Sequence, residues 1–276
     1  MQAAKEALLA RRATVVIDDF HYLERELQVQ VVRSLKDVVF RGTPVITAAV
    51  PHRAFDPVRV EREMTGRVEQ LEIPFWSVEE LLGVATAGFE ALNLTDHDGI
   101  AAVIARESFS SPFLMQDFCL ALCRSNGIEE SGDERTDLKA PDWNKFFSAR
   151  ASTASKTAFD RLARGPRQRS DRLERTLRSG EVMDIYGVVL AAIAQTGPLT
   201  SLTYEELRAA LKDVMRSEPP QRHEVTRVLE EMARIAREEI EGEPVVDYDE
   251  ELSTLHISDP FFAYYLRWAI RDQQPQ

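Results

Sequence analysis

Several features are scarce or missing in this sequence, and each absence excludes a class of protein. No apolar run approaches the roughly 20 residues that a membrane-spanning helix needs. The first residues, Met1-Gln2-Ala3-Ala4-Lys5-Glu6, lack the basic segment followed by an apolar stretch that marks a secretory signal. Only two cysteines occur, Cys119 and Cys123, with no further Cys or His nearby that could complete a metal site. We therefore predict a cytoplasmic protein with reduced thiols and no membrane segment.

Excess positive charge is also lacking. The formal net charge of -12 argues against binding of the whole molecule to nucleic acid through electrostatics alone. The charge is uneven, however, because residues 148–180 carry nine Lys/Arg against three Asp/Glu. This basic stretch is the candidate for nucleic-acid contact, and the alternative is a solvated helix that balances acidic neighbours.

Two unbroken apolar runs occur in the first part of the sequence, at residues 14–17 and 45–49. Runs of this kind are typical of parallel strands that are buried on both faces. Apolar residues at three-to-four spacing predict a helix between the two runs, and a third strand is predicted at residues 68–73. Strand, helix, strand, loop, strand is the order of the back half of a doubly wound α/β sheet.

The rest of the chain has helical patterns and one hairpin. A capping box at Ser77 and Glu80 opens a set of helices that ends at Asn126-Gly127. Residues 129–147 are predicted to be a loop or linker, and the basic stretch is predicted to be partly helical with a break at Gly165-Pro166. Beyond it we predict helices at 183–195, 204–215 and 222–239, strands at 244–248 and 253–257, and an aromatic helix at 259–270. Three helices followed by a hairpin is the winged-helix arrangement.

Asp18 and Asp19 directly follow the first predicted strand. Carboxylates at the carboxyl end of a parallel strand lie at the crevice where α/β sheets bind ligands. There, one acid can hold the Mg²⁺ of a nucleotide while a second orients the attacking water. The alternative is that the pair only solvates the end of the strand, or that Asp19 caps the following helix.

The run Val15-Val16-Ile17-Asp18-Asp19-Phe20-His21-Tyr22-Leu23 resembles the Walker B strand of STAND and origin-recognition-type AAA+ ATPases. The stretches 184–190, 203–207 and 255–268 are similar to the tail of prokaryotic AAA+/STAND ATPases, which ends in a winged helix and an aromatic Asp-Pro-Phe-Phe helix. The resemblance implies an α/β plus all-α fold with four parts. These are a partial doubly wound parallel P-loop sheet (1–76), a helical lid (77–128), a linker with a basic helical stretch (129–180) and a winged-helix domain with a terminal aromatic helix (181–276).

The same resemblance implies roles for individual residues. Asp18 would be the metal ligand, and Asp19 would act on the attacking water. Arg53 would sense the γ-phosphate, and Arg67, with Arg62 nearby, lies in the region that supplies an arginine finger; for each arginine an ordinary surface charge is the alternative. Ser110-Ser111-Pro112 is similar to the Gly-x-Pro motif of STAND lids, whose proline contacts the nucleotide base, although a serine replaces the glycine here.

The phosphate-binding loop of these ATPases, Gly-x-x-x-x-Gly-Lys-Ser/Thr, is missing, because no Gly-Lys pair occurs in the sequence. Only 17 residues precede Asp18, so we expect a truncated chain that is the later part of a switch ATPase. ATP and Mg²⁺ are the expected cofactors of the complete protein, whereas this chain alone should bind ATP weakly and hydrolyse it negligibly.

The expected partners are a protein, or a second copy that associates through the ATPase core. The alternative function is a non-enzymatic winged-helix module with a remnant ATPase core that binds DNA or protein. The helix at 222–239 is close to neutral or acidic and Asp249-Glu250-Glu251 follows it, so protein packing is favoured over DNA.

Overall fold

The computed structural model describes residues 2–11, 13–50, 68–71, 73–151, 153–166, 173–197 and 200–271. The chain divides into two compact units, Met1–Pro74 and Phe75–Gln276. Helices and small sheets occur in both units, so the predicted mixed α/β class is confirmed. No helix in these described ranges is both long enough and apolar enough to cross a membrane.

The first unit is built around two parallel strands and the helix that joins them. Its elements are α1 (Gln2–Arg11), β1 (Val15–Ile17), a short 3-10 turn (Phe20–Tyr22), α2 (Arg25–Phe40) and β2 (Val45–Thr47). β1 and β2 pair in parallel, and Val16 lies opposite Ile46. Phe20, Val32 and Val38 are buried in this unit. The predicted order of strand, helix and strand is therefore present.

Two predictions for this unit are wrong. The strands are not buried on both faces, because the opposed side chains of Val16 and Ile46 are 64% and 54% exposed. The third strand is absent from the described residues of 68–73, where Leu71 and Ile73 are 85% and 77% exposed. Apolar residues form a strand only where a neighbouring strand can pair with their backbone, and the sequence pattern does not reveal whether that neighbour exists.

The second unit begins with four helices, α3 (Val78–Ala91), α4 (Ile100–Arg106), α5 (Pro112–Ser125) and α6 (Trp143–Ala149). A two-residue parallel pair, β3 (Leu94–Thr95) with β4 (Thr136–Asp137), lies between them in the chain. The capping box is present as predicted, since the Glu80 N–H donates to Ser77 Oγ (3.2 Å) and the Ser77 N–H donates to Glu80 Oε2 (2.8 Å). α5 ends at Ser125, as predicted from Asn126-Gly127.

The prediction of a loop or linker over residues 129–147 is wrong in its second half, where α6 begins. Asp142 caps this helix by accepting a hydrogen bond from the Lys145 N–H, and that bond lowers the pKa of Asp142. Trp143, Phe146 and Phe147 pack against one another from the same helix. The acidic residues before the helix suggested a solvated segment, although the aromatic spacing that follows them is helical.

The remaining elements of the second unit follow the predicted order closely. They are α7 (Thr153–Arg164), β5 (Arg175–Thr176), β6 (Val182–Met183), α8 (Ile185–Gln195), β7 (Ser201–Thr203), α9 (Tyr204–Val214), α10 (Arg222–Glu238), β8 (Val246–Asp249), β9 (Thr254–Ile257) and α11 (Pro260–Tyr265). A π-helical turn, Leu266–Arg271, continues α11. The predicted hairpin is confirmed as β8–β9, and β7 adds a third antiparallel strand in the order β7-β9-β8. α8 starts later than predicted, because Met183 belongs to β6 and Asp184 caps the helix.

Two apolar clusters form the core of the second unit. The helical cluster includes Leu81, Ile104, Phe118, Leu122 and Phe147. The C-terminal cluster includes most of α8 with apolar residues of α9, α10 and β9, such as Leu211, Leu229 and Leu255. The last helix contributes to both, with Tyr264 and Trp268 in the helical cluster and Phe262 and Leu266 in the C-terminal cluster. Pairs four residues apart share a helix face, so this helix has one apolar face for each cluster.

Candidate functional site

The acidic pair lies on a strained turn at the carboxyl end of β1. Both side chains are exposed, and Asp18 Oδ1 accepts a hydrogen bond from the Asp19 N–H (3.0 Å). Asp19 has φ 52° and ψ 36°, the left-handed conformation that few residues other than glycine adopt without cost. Its carboxylate makes no capping hydrogen bond, and α2 begins only at Arg25. The alternative role of Asp19 as a helix cap is therefore not seen.

Buried contacts hold this turn in place. Phe20 is fully buried, and its N–H donates to the carbonyl oxygen of Ala48 just after β2 (3.0 Å). Gln28 Nε2, from the buried side of α2, donates to the carbonyl oxygen of Phe20 (3.2 Å). Both carboxylates are thus fixed to a backbone that is tied to the second strand and to the helix. Sequence reasoning missed Gln28, although a polar residue within the apolar face of a helix is a recognisable signal.

The chemistry available at this turn is that of exposed carboxylates beside the ends of parallel strands. Protein sites for Mg²⁺-nucleotides usually supply one or two carboxylates, while phosphates and water complete the coordination. Asp18 fits that role and Asp19 is adjacent to it. Within the parts of the chain that the structure describes, no group of three or more His, Cys, Asp or Glu side chains is arranged to hold a metal ion.

The predicted arginines cannot be placed beside this pair. Arg53, Arg62 and Arg67 lie within residues 51–67, outside the described residues. Their assigned roles therefore stay predictions from the sequence.

A second strained turn, residues 108–112, leads into α5, whose first residue is Pro112. The Ser111 N–H donates to the carbonyl oxygen of Ser108 (2.8 Å), which makes Phe109 and Ser110 the central residues of a four-residue turn. Both central residues have positive φ, 47° and 56°, a geometry that Asn and Gly usually provide. Ser111 then caps α5 by accepting from the Leu114 N–H (3.3 Å), and Pro112 occupies the first helical turn.

This turn stores backbone strain at the position that the sequence motif singled out. Left-handed residues other than glycine cost on the order of 1–3 kcal/mol each, and a bulky phenylalanine is an outlier there. Ser110 stands where the Gly-x-Pro pattern has glycine, and its backbone has the conformation that favours glycine. Glycine would therefore adopt the backbone conformation of position 110 at a lower cost than serine does.

Glu107 precedes the strained turn and makes three hydrogen bonds to the last helical segment. Its carboxylate accepts from Arg267 Nε (3.0 Å), Arg267 Nη2 (3.2 Å) and Trp268 Nε1 (2.9 Å). The Glu107 side chain is only 17% exposed. Sequence reasoning missed this residue, because its partners lie about 160 positions away and no local pattern connects them.

The described part of the basic stretch 148–180 is engaged within the molecule. Four of its arginines donate to side chains or carbonyl groups elsewhere in the second unit, in the pairs Arg150–Asp117, Arg161–Glu239, Arg175–Glu224 and Arg178–Met215. The hydrogen bond from Arg161 lowers the pKa of Glu239. These contacts are what the alternative interpretation predicted, a basic segment that balances acidic neighbours. Arg167, Arg169 and Arg172 lie outside the described residues.

The two cysteines are free thiols on α5. Burial raises the pKa of Cys119 to about 12 and also raises the pKa of Cys123. The thiolate is the nucleophile and the metal-binding form, and a raised pKa keeps the thiol protonated at neutral pH. Both residues therefore act as packing groups.

Comparison of this chain with protein-family models, with curated proteins and with solved structures finds no match. A functional assignment therefore depends on the residues described above.

Proposed function

We propose that this chain is the C-terminal part of an ATP-dependent regulatory switch ATPase of the AAA+/STAND kind. The observation that carries the proposal is the position of Asp18 and Asp19 at the carboxyl ends of two parallel strands. Asp19 adopts a strained backbone there without acting as a cap, and strain of this kind is concentrated at functional sites.

Two features of the second unit support the proposal. The order helix, strand, two helices and hairpin, with the three strands in one antiparallel sheet, fits a winged-helix domain. The strained turn before Pro112 supports a nucleotide-contacting lid, since Ser110 has the left-handed backbone that glycine favours.

In the complete protein, Asp18 would hold the Mg²⁺ of bound ATP and Asp19 would orient the attacking water. Pro112 contacts the nucleotide base. The conformational change on ATP binding is passed to the winged helix, which reports it to a protein partner or to a second copy. This chain alone binds ATP weakly and has negligible turnover, because it lacks the lysine and the glycine backbone that surround the phosphates.

The test compares the chain alone with the same chain preceded by a P-loop strand, loop and helix, using a fluorescent ATP analogue. The chain alone should show no micromolar binding, and the extended chain should bind in the presence of Mg²⁺. Asp18→Asn should weaken Mg²⁺-dependent binding by about tenfold or more, because a carboxylate ligand is lost. Asp19→Asn should retain binding and reduce hydrolysis by about a hundredfold.

The exposed Asp98 lies in the second unit and serves as a matched control, so Asp98→Asn should change neither binding nor hydrolysis. Micromolar binding by the chain alone would contradict the requirement for a P-loop. Normal Mg²⁺-dependent binding by the Asp18→Asn variant would contradict the proposed metal role.

The second candidate function is a non-enzymatic winged-helix module, and the charges of α10 favour a protein rather than DNA as its partner. Glu231 and Glu238 are paired with Arg234 on the same helix, so the helix has no excess of positive charge to offer phosphates. An electrophoretic shift assay at several salt concentrations discriminates the two partners. A salt-sensitive shift that is lost when Arg167, Arg169 and Arg172 are changed to Glu would favour DNA.

A further inference from the structure

The two apolar clusters of the second unit meet at a junction with unusual backbone geometry on both sides. Phe109 packs against both the helical cluster and the C-terminal cluster. The last helix, which also contributes to both clusters, changes from α-helical to π-helical at Leu266. π-helical turns are rare and often lie at functional sites. The junction therefore joins a strained turn to an irregular helix.

Side-chain contacts connect the strained turn and the start of α5 to the α-helical part of the last helix. The ring of Phe109 lies edge-on to the ring of Tyr264, with centroids 6.3 Å apart. Phe113, in the first turn of α5, makes a similar contact with Phe261 (5.4 Å). The strained turn and the first turn of α5 thus pack against the face of the last helix that belongs to the helical cluster.

Glu107 is the polar link across the same junction. It immediately precedes the strained turn, and it accepts all three hydrogen bonds from Arg267 and Trp268. Charge-assisted hydrogen bonds of a shielded carboxylate are strong and fix the orientation of their partners. The Trp268 ring also packs against the Phe147 ring in the helical cluster, with centroids 4.8 Å apart and an interplanar angle of 32°, so its indole N–H has a defined direction.

We propose that Glu107 is a positioning residue that couples the conformation of the 108–112 turn to the docking of the last helix. The proposal rests on the proposed function, in which Pro112 contacts the nucleotide base, and it identifies the route by which the C-terminal domain senses that contact. A shift of the turn moves Glu107 and the Phe109 ring together, which weakens the docking of Tyr264 and Trp268. Conversely, release of the last helix allows the strained residues to relax.

The test is amide hydrogen exchange of the full chain without nucleotide, followed in peptides that cover residues 105–116, 222–238 and 259–270. Glu107→Gln should accelerate exchange by about tenfold or more in both the first and the last peptide, because a neutral amide cannot accept three charge-assisted hydrogen bonds. Trp268→Phe should accelerate exchange in the 105–116 peptide, far away in the sequence. Ser110→Gly removes left-handed strain and should slow exchange in both peptides.

Matched controls come from the same structure. Trp143 stacks on Phe147 within the helical cluster but has no bond to Glu107, so Trp143→Phe should leave the 105–116 peptide unchanged. Glu90 is exposed on α3, and Glu90→Gln should change neither peptide. These controls separate coupling from a general loss of packing or of negative charge.

If Glu107 only stabilised the fold, without coupling the turn to the last helix, the variants would change amide exchange in a different pattern. The proposal is overturned if Trp268→Phe leaves the 105–116 peptide unchanged, or if Ser110→Gly slows that peptide without affecting residues 259–270. Faster exchange in residues 222–238 would show that Glu107→Gln loosens the whole unit. In that case, the exchange of the Ser110→Gly variant decides whether the turn and the last helix are coupled. Since no nucleotide is present, failure here leaves the nucleotide-binding proposal intact, and failure of nucleotide binding leaves this coupling intact.

Discussion

Ser110 shows how a residue other than glycine can occupy a backbone conformation that favours glycine. Serine pays a steric cost at φ 56° because its Cβ crowds the backbone, whereas glycine has no Cβ. The neighbouring Phe109 has the same left-handed conformation with a larger side chain that is partly buried. The strain persists because packing and the hydrogen bonds of the 108–112 turn hold both residues.

Replacing Ser110 with glycine is therefore expected to stabilise the protein. Relief of the left-handed cost exceeds the entropy that an added glycine gives the unfolded chain, so the free energy of unfolding should rise by about 0.5–1 kcal/mol. Guanidinium denaturation measures this change. Ser148→Gly on the exposed side of α6 should lower the free energy of unfolding instead, because that position is helical. A destabilised Ser110→Gly variant would contradict the description of the turn as strained.

At the scale of elements, capping chemistry is the clearest link between sequence and structure. Capping boxes are present at Ser77 with Glu80, as predicted, and at Thr203 with Glu206. In the second box the hydrogen bonds from Thr203 lower the pKa of Glu206. The box joins the end of β7 to the start of α9, so it also sets where the third strand stops.

Thr203→Ala should lower the free energy of unfolding by about 1 kcal/mol at neutral pH. The folded-state pKa of Glu206 lies below its unfolded value, so the contribution of this carboxylate is present above the unfolded pKa. It is lost as the pH falls through the folded pKa. The difference between the variant and the natural chain should therefore shrink in acid, as denaturation curves at several pH values would show.

The control for this substitution is Thr86→Ala in the middle of α3, where alanine is the better helix former and stability should not fall. An equal loss of stability in the two variants would exclude a specific capping role for Thr203.

Elements were predicted well where their stabilising contacts are local, and poorly where they depend on a distant neighbour. α9 and α10 have strong amphipathic patterns and end within one residue of the predicted positions. The strand predicted at 68–73 has apolar residues at 68, 71 and 73 but no strand pairing in its described residues. α6 was missed because its stability comes from aromatic packing on α5, which includes Phe118.

At the scale of the whole molecule, the two units differ in how much apolar surface they bury. The described core of the first unit rests on Phe20, Val32 and Val38, and its parallel pair leaves one face open. Parallel sheets are normally covered on both faces, so this unit has little to protect its strands from opening. The second unit has two extensive clusters, with α8 buried on nearly all sides.

Amide exchange in the natural chain should therefore differ between the units. We expect the amides of β1 to exchange at least about a hundredfold faster than those of α8, after correction for intrinsic rates. Mass spectrometry of peptides covering residues 13–18 and 186–195 measures both in one experiment. Equal protection in the two peptides would mean that the first unit is far more stable than its described core suggests.

The sequence by itself determined the local features of this protein: the helix caps, the order of most elements, the hairpin and the acidic pair after β1. These depend on side chains and backbone groups within about one helical turn, so they can be inferred from spacing. Only the tertiary structure decided that Glu107 binds Arg267 and Trp268, that the last helix serves two clusters and that Val16 and Ile46 remain exposed. Such contacts join residues far apart in the chain, and packing selects them from many partners of equal local chemistry.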